Sequence, residues 1–488
     1  METAPNLYCL SFSLSNYYCS RAGTLTLVLS KLLDSVDSSS MNTRILLFAI
    51  AALLPSLVFG ISVPYQVYDN EFLDPSYFVA KKFPSSTIGA QQTVVEWAKS
   101  LAAQGPCCDG QGRAASFRQQ TRLYELGALC NYVDRDGQFN PDRLLVNDTS
   151  AFQAMSDAVF YNTVAWVITG SSQYALNAAH FLDTWFINPA TAQTPNLKYA
   201  QMHRGPNGQI GSHTGLLDFH QMAKIASAIL ILREGKSTSW TSALDSKMIS
   251  WTKTYITWVT TNSVAHQEQI ASNNHGTFFY NQLASLYIIV NDKTSASNSL
   301  KTYFSTLYKA QIEASGEQVG KELVTMHRDP DITSQPFEAV RTHPYHYRCY
   351  NLAAMIVRAF AYNIMVETED SSQTNAKIGK YLGLDFWNTT TTHGATIKTA
   401  TDYTMNKIHL DTADGDGPIW ELYPSIVATG SIYGSDHYNG TYARFLAKAD
   451  NTYPSKPYFL FNQPFSNSGL AVSGRSARSR HPARAWSH

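Results

Sequence analysis

The sequence predicts an all-α protein, an α/α toroid in which antiparallel helix hairpins form an incomplete α/α barrel. Across residues 150–380 apolar side chains recur at helical intervals, and the alternation typical of strands is almost missing. Polar loops join the helical segments in pairs, as in rings of hairpins whose loops form a cleft at one end. No repeat of fixed period is present in the sequence, which argues against a regular solenoid.

The individual helices are predicted from apolar periodicity and from the residues that stop each one. The first, residues 91–103, stops at Gln104-Gly-Pro106, and the next two are joined by a turn that begins at Gly170. The irregular stretch 188–214 has a length typical of functional loops. The helices after the first are predicted at residues 150–169, 173–186, 216–233, 239–260, 276–290, 295–314, 351–367, 376–382, 424–432 and 442–449.

Residues 41–60 have the form of a secretory signal peptide, with Arg44 before an apolar stretch that ends at Gly60. Because such a signal is expected at the start of a chain, we predict that translation begins at Met41 and that residues 1–40 are a spurious or disordered extension. Residues 61–465 are then the toroid domain. The residues after them, 466–488, are rich in Ser and Arg and are predicted to be a disordered basic tail. We therefore expect a secreted protein with no membrane contact after signal cleavage.

Composition narrows the class of partner. Charged residues make up 15% of the chain, aromatic residues 12%, and the net charge is zero. A nucleic-acid-binding protein would show a basic excess that neutralises phosphates. We therefore expect no nucleic-acid partner. The many aromatic side chains are typical both of large cores and of surfaces that stack on sugars, and we expect a monomer.

Three sequons, at Asn147, Asn388 and Asn439, fit a secreted glycoprotein. Of the six cysteines, two (Cys9 and Cys19) precede the signal peptide, which leaves four. Four cysteines in a chain of this length do not form a disulfide scaffold, and one or two bridges are the most that they allow.

Two polar clusters lie at the mouths of predicted helices. Asn273-Asn274-His275 precedes the apolar run 278–290, and residues 341–350 precede the apolar run 352–365. Asn is among the best N-cap residues, so capping alone accounts for one of the two carboxamides. The second cluster at a second helix mouth favours another interpretation, in which both face one cleft.

With these clusters the chain resembles the alginate lyases of polysaccharide lyase family 5 and the secreted fungal-type proteins that share their domain. The resemblance covers roughly residues 132–367. It rests on Val133-Asp-Arg-Asp-Gly-Gln, Trp185-Phe-Ile-Asn-Pro189, Pro195-Asn-Leu-Lys-Tyr-Ala-Gln201, Asn273-Asn-His275, Glu338-Ala-Val-Arg341 and His346-Tyr347-Arg-Cys-Tyr350.

The resemblance implies β-elimination on a uronic-acid polymer, without a metal or a cofactor. Asn274, His275 and Arg341 match the residues that neutralise the sugar carboxylate in the family. Tyr347 matches the tyrosine that takes the C5 proton and protonates the leaving O4 atom. The C5 proton is weakly acidic, so the carboxylate charge must be neutralised before a base removes that proton.

Further residues line the site that the resemblance implies. Gln201 and Tyr350 match positions on the wall of the sugar cleft. A phenol with an ordinary pKa near ~10 needs a neighbouring cation to act as a base, and Arg341 and Arg348 are the candidates. The bacterial pattern has one more residue between the arginine and the tyrosine, so Arg341 is displaced or a neighbouring group takes its role.

Residues 107–129 depart from the family, since they lack the aromatic segment that forms a lid over the substrate. A misassigned exon or a frameshift would explain the change, and we expect a chain made as written to be slow or inactive. One alternative is therefore a catalytically impaired uronan-binding protein. Another is a glycoside hydrolase on the same scaffold, which needs two carboxylates at the scissile bond. Its candidates are Asp218, Glu338, Asp414 and Glu421.

A histidine metal site is a further alternative. Mononuclear zinc sites use three histidines, but positively charged arginines beside the candidates disfavour a bound dication. We therefore predict no metal. The candidate histidines are His275, His327, His343 and His346.

Overall fold

The computed structural model of the 488-residue chain describes residues 65, 67–68, 71–81, 83, 85–106, 148–201, 211–318, 344–355, 359–360, 373–407, 419–433, 440–450 and 455–461. All of them belong to one unit, Ser62–His488. The predictions for residues 1–60, 107–129 and 466–488 lie outside the described residues.

The described part of the chain is built almost entirely of helices, which confirms the prediction of an all-α toroid. Its α-helices are α1 (Pro75–Val79), α2 (Ile88–Ala103), α3 (Asp148–Thr169), α4 (Ser172–Leu182), α5 (Met222–Glu234), α6 (Ser242–Thr261), α7 (Ser263–Ile270), α8 (Asn274–Ile289), α9 (Lys293–Ser305), α10 (Pro344–Met355), α11 (Gln373–Tyr381), α12 (Ile397–Lys407), α13 (Tyr423–Tyr433) and α14 (Thr441–Ala449).

The described residues also form short 3₁₀ and π-helical turns and two short strands. A π-helical turn, Asp183–Ile187, extends α4, and a 3₁₀ helix, His213–Phe219, leads into α5. Further 3₁₀ turns are Ser85–Thr87, Leu307–Ala310, Ile419–Leu422 and Pro457–Leu460. The strands described are β1 (Val67–Tyr68) and β2 (Ala359–Phe360), which pair antiparallel with Val67 opposite Phe360.

Helix α8 lies in the middle of the fold. It contacts α5, α6, α7, α9, α10 and α11. Nearly every side chain from Asn274 to Ile289 is buried, as expected for a helix covered on all sides. One of its buried polar side chains, Gln282, accepts a hydrogen bond from the Tyr255 hydroxyl at 2.7 Å and donates to the Leu216 carbonyl oxygen at 3.0 Å. The loops at the start of α8 therefore sit on a fixed frame.

Two buried ion pairs join distant parts of the chain. Lys377 Nζ of α11 lies 2.5 Å from Glu71 Oε1 of the N-terminal segment, and Lys224 Nζ of α5 lies 2.6 Å from Asp157 Oδ1 of α3. All four side chains are almost completely inaccessible to solvent. Removing one member of such a pair leaves an uncompensated buried charge, so these contacts specify which elements pack together.

Most predicted helices are observed with boundaries shifted by a few residues, as is usual at helix ends. The helix predicted at residues 351–367 differs more. It starts earlier, at Pro344, because proline favours the first position of a helix. It ends at Met355, and Ala359–Phe360 pairs with β1 as a strand. The prediction of helix at those two residues was therefore wrong, and helices α1, α7 and α12 were missed.

Within the part of the chain that the structure describes, one helical stretch, His213–Glu234, is long and apolar enough to cross a membrane. Its apolar window is entirely buried inside the protein, as in the core helix of a globular domain.

Candidate active site

The cluster Asn273-Asn274-His275 forms the start of α8. Asn273 is the N-cap, since its backbone is extended and its side-chain oxygen accepts a hydrogen bond from the His275 amide at 3.2 Å. Asn274 is the first helical residue, and its side chain is fully buried. His275 keeps 11% of its side chain exposed. Capping therefore accounts for Asn273 but not for Asn274 and His275.

Gly276 allows the first turn of α8 to pack against the chain that precedes it. A Cβ atom at this position would lie 2.0 Å from the carbonyl oxygen of Ala271, closer than any side chain tolerates. From the other side, Gln311 Nε2 donates to the carbonyl oxygen of Asn273 at 3.1 Å. The backbone that carries His275 is thus held on two sides.

A buried carboxylate, Glu268 of α7, binds the imidazole of His275. His275 Nδ1 lies 3.0 Å from each carboxylate oxygen, and His213 Nδ1 lies 2.6 Å from Oε1. Burial raises the pKa of the Glu268 carboxyl group, but His275 and His213 together lower it by more. The net pKa lies below its ordinary value, so Glu268 is ionised at neutral pH and accepts hydrogen bonds from both imidazoles.

His213, Glu268 and His275 also have the composition of a mononuclear metal site, with ligand atoms within 4.8 Å of one another. Two ligands bound to zinc at about 2.1 Å in a tetrahedral arrangement lie about 3.4 Å apart. His213 Nδ1 and Glu268 Oε1 are 2.6 Å apart, which is a hydrogen-bond separation. The observed arrangement is therefore that of hydrogen-bonded side chains.

Gln201 lies beside His213. Its side-chain oxygen accepts from the Thr214 hydroxyl at 2.7 Å, and its Nε2 donates to Asp218 Oδ1 at 2.7 Å. Thr214 and Asp218 belong to the same 3₁₀ helix as His213. The backbone of Gln201 has a φ of 44°, a conformation that a non-glycine residue adopts only at a cost and that is common at binding sites.

Tyr347 of α10 packs against Leu217 and Phe278. Phe278 is one turn beyond Asn274 on α8, and Leu217 belongs to the 3₁₀ helix that carries His213. The Tyr347 side chain is half-buried. The structure thus brings Tyr347 to the end of α8 that carries His275, through one shared apolar contact. The role of its hydroxyl group stays a prediction.

Arg348, the next residue, is bound inside the protein. Its Nε and a terminal nitrogen lie 2.8 Å and 3.2 Å from the two carboxylate oxygens of Glu317, and the Tyr403 hydroxyl donates to Oε2 at 2.6 Å. Burial raises the pKa of Glu317, but the bonds from Arg348 and Tyr403 lower it by more, to below its ordinary value. The substrate contact predicted for Arg348 stays a prediction, and the guanidinium group already has a carboxylate partner.

Two predicted site residues are described only in part or not at all. Arg341 lies outside the described residues, as do His327, His343, Glu338 and Asp414. Tyr350 lies within α10, and its side chain is outside the described part of the structure. Their predicted roles stay predictions.

The remaining candidates for other chemistries are buried. Asp218 is 2% exposed and accepts from Gln201, and Glu421 is fully buried with His346 Nδ1 at 3.6 Å from its Oε2 atom. Two catalytic carboxylates of a glycoside hydrolase must both reach the sugar. In the described structure Asp218 and Glu421 are buried on different elements, and each lies beside a protein side chain.

Sequence reasoning missed Glu268 and His213. Glu268 stands in Ser263–Ile270, a short polar helix without an apolar period, seven positions before His275. His213 lies between Gly211 and Gly215, inside the stretch predicted to be a functional loop. That loop prediction was the one signal that pointed to His213, because a histidine in a long loop between helices is a candidate ligand-binding residue.

The chain was compared with family models, curated proteins and solved structures. The family model described as alginate lyase matches residues 91–413. A solved alginate lyase from Bacteroides ovatus is similar with a TM-score of 0.61 and 21% identity, over 80% of this chain and 97% of that chain. Alginate lyase A1-III from Sphingomonas species A1 has a TM-score of 0.44 and 14% identity, over 77% of this chain and 91% of that chain. No curated protein matches the chain. Because the family model covers more than half of its length, the chain belongs to the alginate lyase family and is a polysaccharide lyase.

Proposed function

We propose that the protein cleaves a uronic-acid polymer by β-elimination, with Tyr347 as base and acid and with His275 and Asn274 as groups that neutralise the sugar carboxylate. The observation that carries this proposal is the pairing of the first turn of α8 with Tyr347, which packs on Phe278 one turn further along the same helix. An acidic polysaccharide is the substrate class that the family implies.

The start of α8 suits an anionic sugar group. The first amides of a helix carry partial positive charge, which favours a carboxylate at that end. Asn274 and His275 belong to the first turn, and Gly276 lets this turn lie against the backbone of residue 271. When the carboxylate charge is neutralised, the C5 proton becomes acidic enough for a positioned base.

Tyr347 suits the role of the base better than its neighbour Tyr345. The Tyr345 ring is fully buried and its hydroxyl donates to the Ile419 carbonyl oxygen at 2.8 Å. Burial first, and then Cys349 and Glu421, raise the pKa of Tyr345 well above its ordinary value, so it does not deprotonate at neutral pH. The half-buried Tyr347 keeps access to solvent and to a ligand. Arg341 is proposed as its cation.

Secretion is a further part of the proposal, supported by the signal-like sequence at residues 41–60 and by the three sequons. A secreted monomer with this activity would meet its polymer outside the cell. Gln201 and Tyr350 are proposed to line the cleft, and Arg348 to hold α10 in place through its ion pair with Glu317.

The test is an assay of the secreted protein on polymannuronate, mixed alginate and glucuronan. Elimination creates an unsaturated uronate that absorbs in the far ultraviolet, whereas hydrolysis creates only new reducing ends. We expect unsaturated product from the wild type and none above background from Tyr347→Phe. Tyr287→Phe is the matched control, because Tyr287 lies on α8 about 18 Å from His275 along the helix axis.

Three other outcomes would each contradict the proposal in a different way. Binding of oligouronates without unsaturated product would identify an impaired uronan-binding protein. New reducing ends without absorbance would identify a hydrolase. Unchanged activity in Tyr347→Phe would move the base role to another group, of which His275 is the first candidate.

A further inference from the structure

The imidazoles of His275 and His213 converge on one carboxylate. Their ring centroids lie 6.2 Å apart at an angle of 52°, and each Nδ1 atom points to Glu268. Glu268 is completely buried, whereas the His275 and His213 side chains keep 11% and 30% of their surface exposed. The carboxylate is therefore inside the protein, and both imidazoles reach the surface from it.

The hydrogen bonds fix the orientation of His275. Because Nδ1 binds Glu268, the other ring nitrogen, Nε2, is on the side of the ring away from α7. Within the described residues Nε2 of His275 has no hydrogen-bond partner. A ligand that approaches the first turn of α8 would therefore meet Nε2.

The charge of Glu268 matters as well as its position. An imidazole that donates from both nitrogens is a cation, and a cation this close to the protein interior needs a compensating charge. Glu268 supplies that charge at 3.0 Å. An uncharged side chain of the same shape would orient the ring without stabilising its positive charge.

Resting on the proposed function, we propose that Glu268 is a positioning residue for the elimination: it binds Nδ1 of both histidines, and its charge lets His275 donate from Nε2 to the sugar carboxylate. His213 shares the carboxylate and places a second imidazole beside the same sugar. Glu268 itself does not touch the substrate.

Other titratable side chains near this turn belong to different contacts. His220 packs against Phe278 at 5.6 Å between ring centroids, and the Tyr303 hydroxyl donates to Gln311 at 2.8 Å. Asp218 accepts from Gln201. Among the described residues, Glu268 is the carboxylate bonded to His275.

The test compares Glu268→Gln with Glu268→Asp and with a control, Glu313→Gln. Glu313 pairs with His393 Nδ1 at 3.4 Å in a half-exposed site, so the control removes a carboxylate from a histidine elsewhere. We expect Glu268→Gln to lower kcat by about 10- to 100-fold with little change in KM, because the charge acts in the transition state. Glu268→Asp should recover part of that loss, and Glu313→Gln should lose none.

The second readout is independent of lyase activity. In ¹⁵N-labelled protein with a bound oligouronate, both ring nitrogens of His275 should give the shifts of protonated nitrogen, and Nε2 should lose that signature in Glu268→Gln. If no polymer is cleaved but the shifts behave this way, Glu268 still orients and charges His275 toward the bound uronate, and the proposed elimination fails.

Two results would overturn the inference. One is an equal fall in the activity of Glu268→Gln and Glu268→Asp with unchanged His275 shifts, which would make Glu268 a structural residue only. The other is loss of activity with a chelator and recovery with zinc, which would make the three side chains a metal site.

Discussion

The two polar clusters of this lyase carry similar side chains but hold them differently. At the start of α8 the buried Glu268 binds His275 through Nδ1, and the imidazole keeps a second nitrogen for a ligand. At the start of α10 the Nε atom and one terminal nitrogen of Arg348 are bound to Glu317, which also accepts from Tyr403. We infer that a charged side chain is available to a substrate when its protein partner leaves a hydrogen-bonding atom unoccupied, whatever the type of the side chain.

The largest effect should come from His275→Gln. Loss of one preorganised donor to a developing charge costs about 10²- to 10³-fold in kcat. Arg348→Met should leave the kcat of folded protein within about threefold, since general packing of the site is kept. Steady-state kinetics on the same uronan compare the two. Equal losses of kcat in both variants would show that His275 and Arg348 do not differ in their contribution to catalysis.

The next effect concerns stability. Gly276→Ala should lower the free energy of unfolding by about 3 kcal/mol, because its Cβ atom meets the Ala271 carbonyl oxygen at 2.0 Å. Gly89→Ala is the control, since its nearest neighbour would be Ser455 Oγ at 3.6 Å, and a gain of about 0.4–1 kcal/mol is expected there. Urea unfolding measures both. A neutral Gly276→Ala would show that the first turn of α8 is not held tightly.

The Arg348→Met variant should also be less stable than the wild type. It leaves Glu317 without its cation in a mostly buried place, so we expect a loss of about 1–3 kcal/mol in the free energy of unfolding. Thermal and urea unfolding would detect this loss. A variant as stable as the wild type, with impaired kinetics, would instead place the Arg348 charge in the substrate cleft.

The smallest effect is a pH dependence. The pKa of Glu317 is lower in the folded protein than its ordinary value, so its pairing stabilises the fold above that ordinary value and the contribution is lost as pH falls through the folded pKa. The stability difference between wild type and Glu317→Gln should therefore be full near pH 6 and shrink below about pH 4. A difference that is constant with pH would contradict the ion pair.

The fold class and the helix start that carries Asn274 and His275 were predictable from the sequence for physical reasons. Long apolar periods force helices to bury one face, and Asn273, Asn274 and His275 stand directly before such a period. Tyr347 was singled out by the resemblance to the family, and its helix starts earlier than predicted because Pro344 begins it.

The contacts that tune the site were not predictable. Glu268 lies on α7, whereas His275 lies on the next helix, α8. The sequence of α7 is short and polar, so it gives no sign that Glu268 is buried. The pairing of Arg348 with Glu317 joins residues 31 positions apart with no helical register between them. Such contacts depend on how elements pack, and periodicity carries no information on the partner of a single charge.

The most direct measurement is the crystal structure of Tyr347→Phe with a bound oligouronate. We expect a sugar carboxylate within hydrogen-bond distance of His275 Nε2 at the first turn of α8. We also expect C5 of the same sugar to face the ring at position 347, with Glu268 still bound to Nδ1. A carboxylate bound at Arg348, or a sugar whose C5 atom faces away from position 347, would contradict the proposal that these two helix starts share one elimination site.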